Sequence, residues 1–182
     1  MTAVAVVSEI DEKNLVARSQ EGDQQAYAQL YKTHHARIYA LCWRMCSGDH
    51  ALAEDLLQDA FVHAWRKLKS FRGESTFGTW LHRVTVNVVL GDKRRKKRQL
   101  QVVDKPTQRN DIEAGDDGLE GIDQDIELAM ARLPDRARIV LILYSMEGYT
   151  HAEISKVTGM AIGSSKAQLH RARGLLKQWL TE

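Results

Sequence analysis

Apolar residues along this 182-residue chain recur at spacings of three and four rather than two, the period of helices. In the first half, Tyr27, Leu30, Tyr31, His34, Ile38, Leu41, Cys42 and Met45 form one stripe, the inward face of an amphipathic helix. Ser47-Gly48-Asp49 interrupts it. A second stripe, Leu52, Leu56, Leu57, Ala60, Phe61, Ala64 and Leu68, predicts another helix. Its opposite face carries Asp55, Gln58 and Asp59, neighbours at i, i+3 and i+4. A third helix is expected to begin near Thr76, burying Trp80, Leu81, Val84, Val88 and Val89 and presenting Arg83, Asn87 and Arg94 on its other side. Its valines lower helix propensity, so packing must sustain it.

In the second half, Leu133-Pro134-Asp135 opens the segment ARIVLILYSM, whose composition fits a buried strand as well as a helix. The residues after it decide for helices. Thr150-His-Ala-Glu153 is a capping box, and the helix it starts ends at Gly159. A short turn, Met160 to Gly163, leads into another helix from Ser164 through Trp179. Helix, tight turn with glycine, helix is the layout of a helix-turn-helix, although a plain helical hairpin has the same pattern. The second of these helices is expected to bury Ile162, Leu169, Ala172 and Leu176. Ser164, Lys166, Gln168, His170, Arg171 and Arg173 remain for phosphate and base-edge contacts in a major groove.

Only two prolines, Pro106 and Pro134, break the chain, which favours an all-α protein. At 43% hydrophobic and 27% charged residues, global disorder is excluded. Two cysteines indicate no disulfide framework and fit a reducing compartment. The start, MTAVAVVSEI, has neither the basic flank nor the cleavage site of a signal peptide, and no apolar run approaches the ~20 residues that span a bilayer. A cytoplasmic location is expected.

The net charge of +2 conceals a pattern. Residues 1–103 carry 16 Lys and Arg against 11 Asp and Glu, residues 104–127 carry 2 against 9, and residues 128–182 carry 8 against 4. Two basic lobes are thus joined by an acidic connector with three glycines and no periodicity, which reads as a flexible linker. The expected architecture is two small helical domains, 1–103 and 128–182, on either side of it.

The stretch Phe71 to Arg98 concentrates the chemistry. Aromatics (Phe71, Phe77, Trp80) lie in and beyond a Gly/Ser/Thr loop, and six of the seven residues 92–98 are Lys or Arg. Aromatic faces stack on unpaired bases while a basic run tracks phosphates. A solvated helix end with ordinary core aromatics has the same composition. Cys42 and Cys46, one turn apart and near His34, His35 and His50, admit zinc or redox chemistry, but Cys42 is on the apolar face and the histidines do not all share it. Buried structural thiols are the expectation. No nucleophile–base set, phosphate loop or carboxylate dyad stands out, so no enzyme activity, cofactor, metal or small-molecule substrate is expected.

From about Asp23 to Leu180 the chain resembles the extracytoplasmic-function sigma factors of bacterial RNA polymerase, in the sigma-70 family. The blocks LYKTHHARIYALCWRM, GDHALAEDLLQDAFVHAW and FRGESTFGTWLHRVTVN, with its basic tail, precede LPDRARIVLILYSMEGYTHAEISKVTGMAIGSSKAQLHRAR in the family's order. The resemblance implies one domain for the −10 element and a helix-turn-helix domain for the −35 element. It further implies that the chain binds core RNA polymerase at its clamp coiled coil and flap, and directs it to promoter DNA. Control by an anti-sigma factor, often membrane-bound, is implied as well. Asp55, Gln58 and Asp59 match the family's polymerase-docking signature. Asn87 matches its −10 reader, with Arg83, Lys93, Arg94 and Arg95 as phosphate holders. The loop from Phe71 through Arg72 to Phe77 matches its capture site for a flipped base, with Trp80 either a pocket wall or, the favoured reading, core. Lys166, His170 and Arg171 fall where the family meets the −35 element. Ala161, Ser165 and Gln168 depart from a proline, a valine and an arginine usual there, which puts the promoter sequence in doubt; a core-facing Ser165 is one reading of its change. The competing reading of the chain is a stand-alone helix-turn-helix regulator, which binds duplex sites by itself, usually as a dimer.

Overall fold

A computed structural model describes residues 9–102 and 124–181, and among these every regular element is helical. The first lobe consists of α1 (Glu9–Gln20), α2 (Gln24–Met45), α3 (His50–Lys67) and α4 (Phe77–Val102). The sequence reading did not anticipate α1, whose buried apolar residues, among those described, are Leu15 and Val16. Two buried residues make too little periodicity to register. Asp23 caps α2 by accepting from the Gln25 and Ala26 amides, and Asp49 caps α3 through the Leu52 amide. Between them Ser47, at φ 64, and Gly48, at φ 81, turn the chain through left-handed backbone.

α3 packs between α2 and α4. Leu30, Ile38, Leu41, Met45, Leu56, Phe61 and Leu81 form the centre of this core. Each such side chain contributes roughly 1.5–3 kcal/mol by leaving water. The Tyr27 hydroxyl donates to the Phe61 carbonyl across α2 and α3 at 2.6 Å. On α4 the inward face is Leu81, Thr85, Val86, Val89 and Leu90, while Val84, Val88 and Trp80 are half-buried. The helix is therefore rotated from the expected face, because Thr85 satisfies its hydroxyl on the Leu81 carbonyl and is free to turn inward.

The second lobe holds α5 (Gln124–Arg132), α6 (Asp135–Leu141) with a π-type turn over Ile142–Met146, α7 (His151–Thr158) and α8 (Ile162–Thr181). Residues 124–127, read as linker, are the first turn of α5, where Asp125 and Glu127 suit the positive helix end. The rest of the expected linker, 104–123, lies outside the described residues. Arg138 is buried at the α5–α6 corner, donating to the Ala131 and Leu133 carbonyls and pairing with Asp135. The α7 capping box is complete, and Gly159 ends that helix at φ 74. α8 begins two residues earlier than expected, so Ile162 is 47% exposed rather than buried. Among the described residues, no helix is long and apolar enough to cross a membrane.

The lobes touch. Arg44 of α2 pairs with Glu127 of α5 at 2.8 Å, with 13% and 5% of the two side chains exposed. His82 of α4 meets Glu147 at 2.9 Å, Lys93 meets Asp135 at 3.0 Å, and Arg94 donates to the Val157 carbonyl at 3.2 Å.

Candidate polymerase and nucleic-acid interfaces

On α3, Leu56 and Leu57 turn inward and leave Asp55, Gln58 and Asp59 exposed on one face. Val62 continues that stripe three and four residues beyond Asp59 and Gln58 and is 45% exposed. The sequence reading passed over it because a valine in a helix is taken for core; its offset from the acidic pair was the available signal.

Between α3 and α4 opens a cleft of about 310 Å³. Asp59, His63 and Lys67 line one side, and Asn87, Gly91 and Arg95 the other. Asp59, the last residue of the acidic stripe, and Asn87 thus line one groove, though the sequence had kept them on separate helices. Asn87 is exposed and donates its amide to the Arg83 carbonyl at 2.9 Å, which fixes the rotamer and leaves Oδ1 to accept. His63 and Lys67 were missed as groove residues, since nothing in α3 alone points them at α4.

The aromatic cluster is arranged differently from expectation. Phe77 is 2% exposed, packed edge-on against His34 and beneath Phe71 and Trp80. It begins α4, so its side chain falls on the core side of the first turn and supports the loop from below instead of lining an open pocket. Phe71 and Trp80, 5.2 Å apart and half-buried, are the rings nearer the surface. Gln20 of α1 ties the loop by donating to the Leu68 and Phe71 carbonyls at 3.0 and 2.9 Å. A side chain at Gly78 would meet His34 at 3.1 Å, so the first turn of α4 sits close on α2. Arg72 is exposed at the loop tip.

The basic run is organised by a residue the sequence reading ignored. Asp92 is buried and pairs with Arg95 at 2.7 Å and Lys96 at 3.1 Å. Lys93 and Arg94 turn to the second lobe, and Arg83 borders an interlobe cavity of about 140 Å³ with His82, Glu147, Tyr149 and Glu153. Burial pushes the Asp135 carboxyl up, but Lys93 and Arg138 together hold it below the usual range. Burial also pushes the Cys42 thiol up to about 12 and Cys46 to about 11, so both remain protonated and poor ligands near neutral pH.

On α8, Ser165, Leu169 and Ala172 face the core, and Ser165 meets the His151 ring at 2.9 Å. At 100° per residue, His170 and Arg171 lie on the side away from that face, while Lys166 and Ser164 lie on its two flanks. All four are exposed. The other two candidates lie at the margins: Gln168 is half-buried with an unpartnered Oε1, and Arg173 is drawn over the Tyr144 ring at 5.8 Å.

Family models match both lobes: Sigma-70 region 2 over residues 30–99, and Sigma-70, region 4 over residues 123–176. The ECF RNA polymerase sigma factor SigW of Bacillus subtilis is 30% identical, with 93% of this chain and 97% of the relative aligned. SigM of Mycobacterium tuberculosis, an ECF RNA polymerase sigma factor, is 33% identical over 94% of this chain and 86% of its own. Among solved structures, the sigma factor RpoE of Bartonella quintana, crystallised with the anti-sigma factor NepR, superposes with a TM-score of 0.61. It is 28% identical, and the match covers 85% of this chain and 96% of that one.

Proposed function

The chain belongs to the extracytoplasmic-function sigma factors of the sigma-70 family, and from that membership we propose how its parts divide the work. It binds core RNA polymerase and directs promoter-specific initiation. The first lobe, to about residue 103, docks on the polymerase and reads the −10 element; the second, from Gln124, reads the −35 element. Asp55, Gln58 and Asp59 dock on the clamp coiled coil, with Val62 as the apolar knob of that stripe. Polar and acidic groups around one exposed apolar side chain suit a basic partner helix. The flap is the expected seat of the second lobe.

The observation that carries the reading is the groove in which Asn87 stands. A carboxamide held by its own helix, with its oxygen free, can accept from a base edge, while Arg95 and Lys67 flank it with charge for the backbone. Arg72, Arg83, Lys93 and Arg94 extend the phosphate track, and Phe71 with Trp80 offers the ring surface for a displaced base. On α8, Lys166, His170 and Arg171, with Ser164, face the −35 duplex.

The chain performs no bond-making of its own; the polymerase supplies the chemistry and the cytoplasm is the place of action. The crystallised pairing of RpoE with NepR supports control by an anti-sigma factor here too. Run-off transcription with core enzyme tests the reading. Promoter-specific transcripts that depend on this protein are expected. Tight binding to an operator by the chain alone, with no holoenzyme formed, would instead favour a stand-alone regulator.

A further inference from the structure

The loop that carries Phe71 and Arg72 has little to hold it from within. Residues 71–76 belong to no regular element, and Gly73 turns them through left-handed backbone at φ 72. Its own ties are local: the Phe71 amide donates to the Leu68 carbonyl at 3.0 Å, and the Thr79 amide to the Thr76 hydroxyl at 3.2 Å. Two further bonds reach it from α1, 48 and 51 residues earlier in the chain. Here the Leu68 and Phe71 carbonyls both accept from Gln20 Nε2, which has two N–H groups to give. α1 is itself anchored. Leu15 and Val16 are buried, and Arg18 donates to one Asp23 oxygen at 2.6 Å while the other caps α2. The end of α1 where Gln20 stands is thereby fixed to the start of α2. One end of the same helix also reaches below the rings. Glu12 comes within 3.3 Å of the His34 ring, which packs against Phe77 with centroids 5.3 Å apart, and Phe77 lies under Phe71 and Trp80.

A displaced base gives up its stacking in the duplex, and rings that receive it return most when they already stand in place. Phe71 on an untied loop would have to be ordered at the moment of capture, at the expense of binding. We propose that α1 positions the base-holding loop, with Gln20 as the positioning residue and the Glu12–His34 contact as the support beneath Phe77. This role presupposes the sigma-factor reading, in which Phe71 and Trp80 hold a base of the displaced strand. It adds to that reading a helix that lies ahead of residues 30–99, the part of the chain that matches sigma region 2. Core filling by itself would not ask for a carboxamide at the end of α1. Leu15 and Val16 supply the apolar contact, whereas Gln20 directs its donors at two carbonyls on the way from α3 into the loop.

The test uses holoenzyme formed with the full chain and a fork-junction −10 DNA, either intact or with a single abasic site walked through the displaced strand. Gln20→Met keeps the length of the side chain and removes its donors. It should weaken binding to the intact DNA about tenfold, the effect of one to two hydrogen bonds of ordinary net strength. Phe71→Ala marks the captured position, since its penalty should vanish where the base is absent. The Gln20→Met penalty should vanish at that same position and persist at the others. Binding to core enzyme should not change. A general loss of stability would weaken binding to every DNA alike. An equal Gln20→Met penalty at all positions, or none on the intact DNA, would therefore overturn the proposal while leaving base capture intact. Should the methionine chain lose its helical circular dichroism, Gln20→Glu answers the same question, because it has the same length and its carboxylate donates nothing. Failure of the capture reading looks different. The Phe71→Ala penalty would then persist at every abasic position, and the role of α1 would fall with it.

Discussion

Asn87 illustrates what one residue can and cannot do alone. One of its two amide N–H groups donates to the Arg83 carbonyl, which leaves Oδ1 to accept from a base edge and the other N–H to donate to one. Asn87→Ala should cost ~1–3 kcal/mol at one −10 position and relax selectivity there, measured with holoenzyme on a promoter series. An equal loss on every promoter would show that Asn87 does not read sequence. Neighbouring residues were less legible. Phe77 was expected to cradle a base and proved to be core, because the helix begins at it. Ser165, for which a core-facing position was one reading, is indeed buried, and its hydroxyl is satisfied by His151. In each case the composition of the residue was plain, and its direction was set by where a helix starts and what lies across from it.

At the scale of elements, periodicity was a good guide wherever a stripe was long. α2 and α3 follow their apolar spacing, α8 follows it at Leu169 and Ala172 but not at Ile162, and the capping box of α7 stands as its four residues imply. α1 was not seen, since two buried side chains do not make a period. The basic end of α4 is the element whose role is most open to measurement. Neutralising Lys93 to Arg98 should weaken holoenzyme binding to all promoters alike and flatten the dependence of log K on log salt, each lost phosphate contact lowering the slope by ~0.9. An unchanged slope would return the run to a merely solvated helix end. The pairs of Asp92 with Arg95 and Lys96 suggest a graded result, because those two cations are held in place while Lys97 and Arg98 carry no such tether to Asp92.

For the molecule as a whole, the first lobe buries its own residues from Leu15 to Leu90, and the apolar cluster continues into the second lobe through Met130 and Leu133, beside the pairs Arg44–Glu127 and Lys93–Asp135. A fragment of residues 1–103 should therefore fold, with helical circular dichroism and one cooperative urea transition. Its midpoint should lie below that of the intact chain, since the fragment loses both the Arg44–Glu127 pair and the apolar contact with the second lobe. A fragment without a cooperative transition would mean that the lobes are one folding unit.

The sequence by itself determined the helices with long apolar stripes, the caps, the two basic lobes with acid between them, and the family resemblance. These depend on neighbours within a turn or two, or on charge summed over a segment, and such quantities are written in order along the chain. Tertiary structure alone decided which faces meet: the groove that joins Asp59 to Asn87, the burial of Phe77, and the pairing of Glu127, Asp135 and Glu147 with the first lobe. Those facts depend on distances between residues tens of positions apart. No local pattern encodes them, because a carboxylate facing water and one facing an arginine have the same place in the sequence.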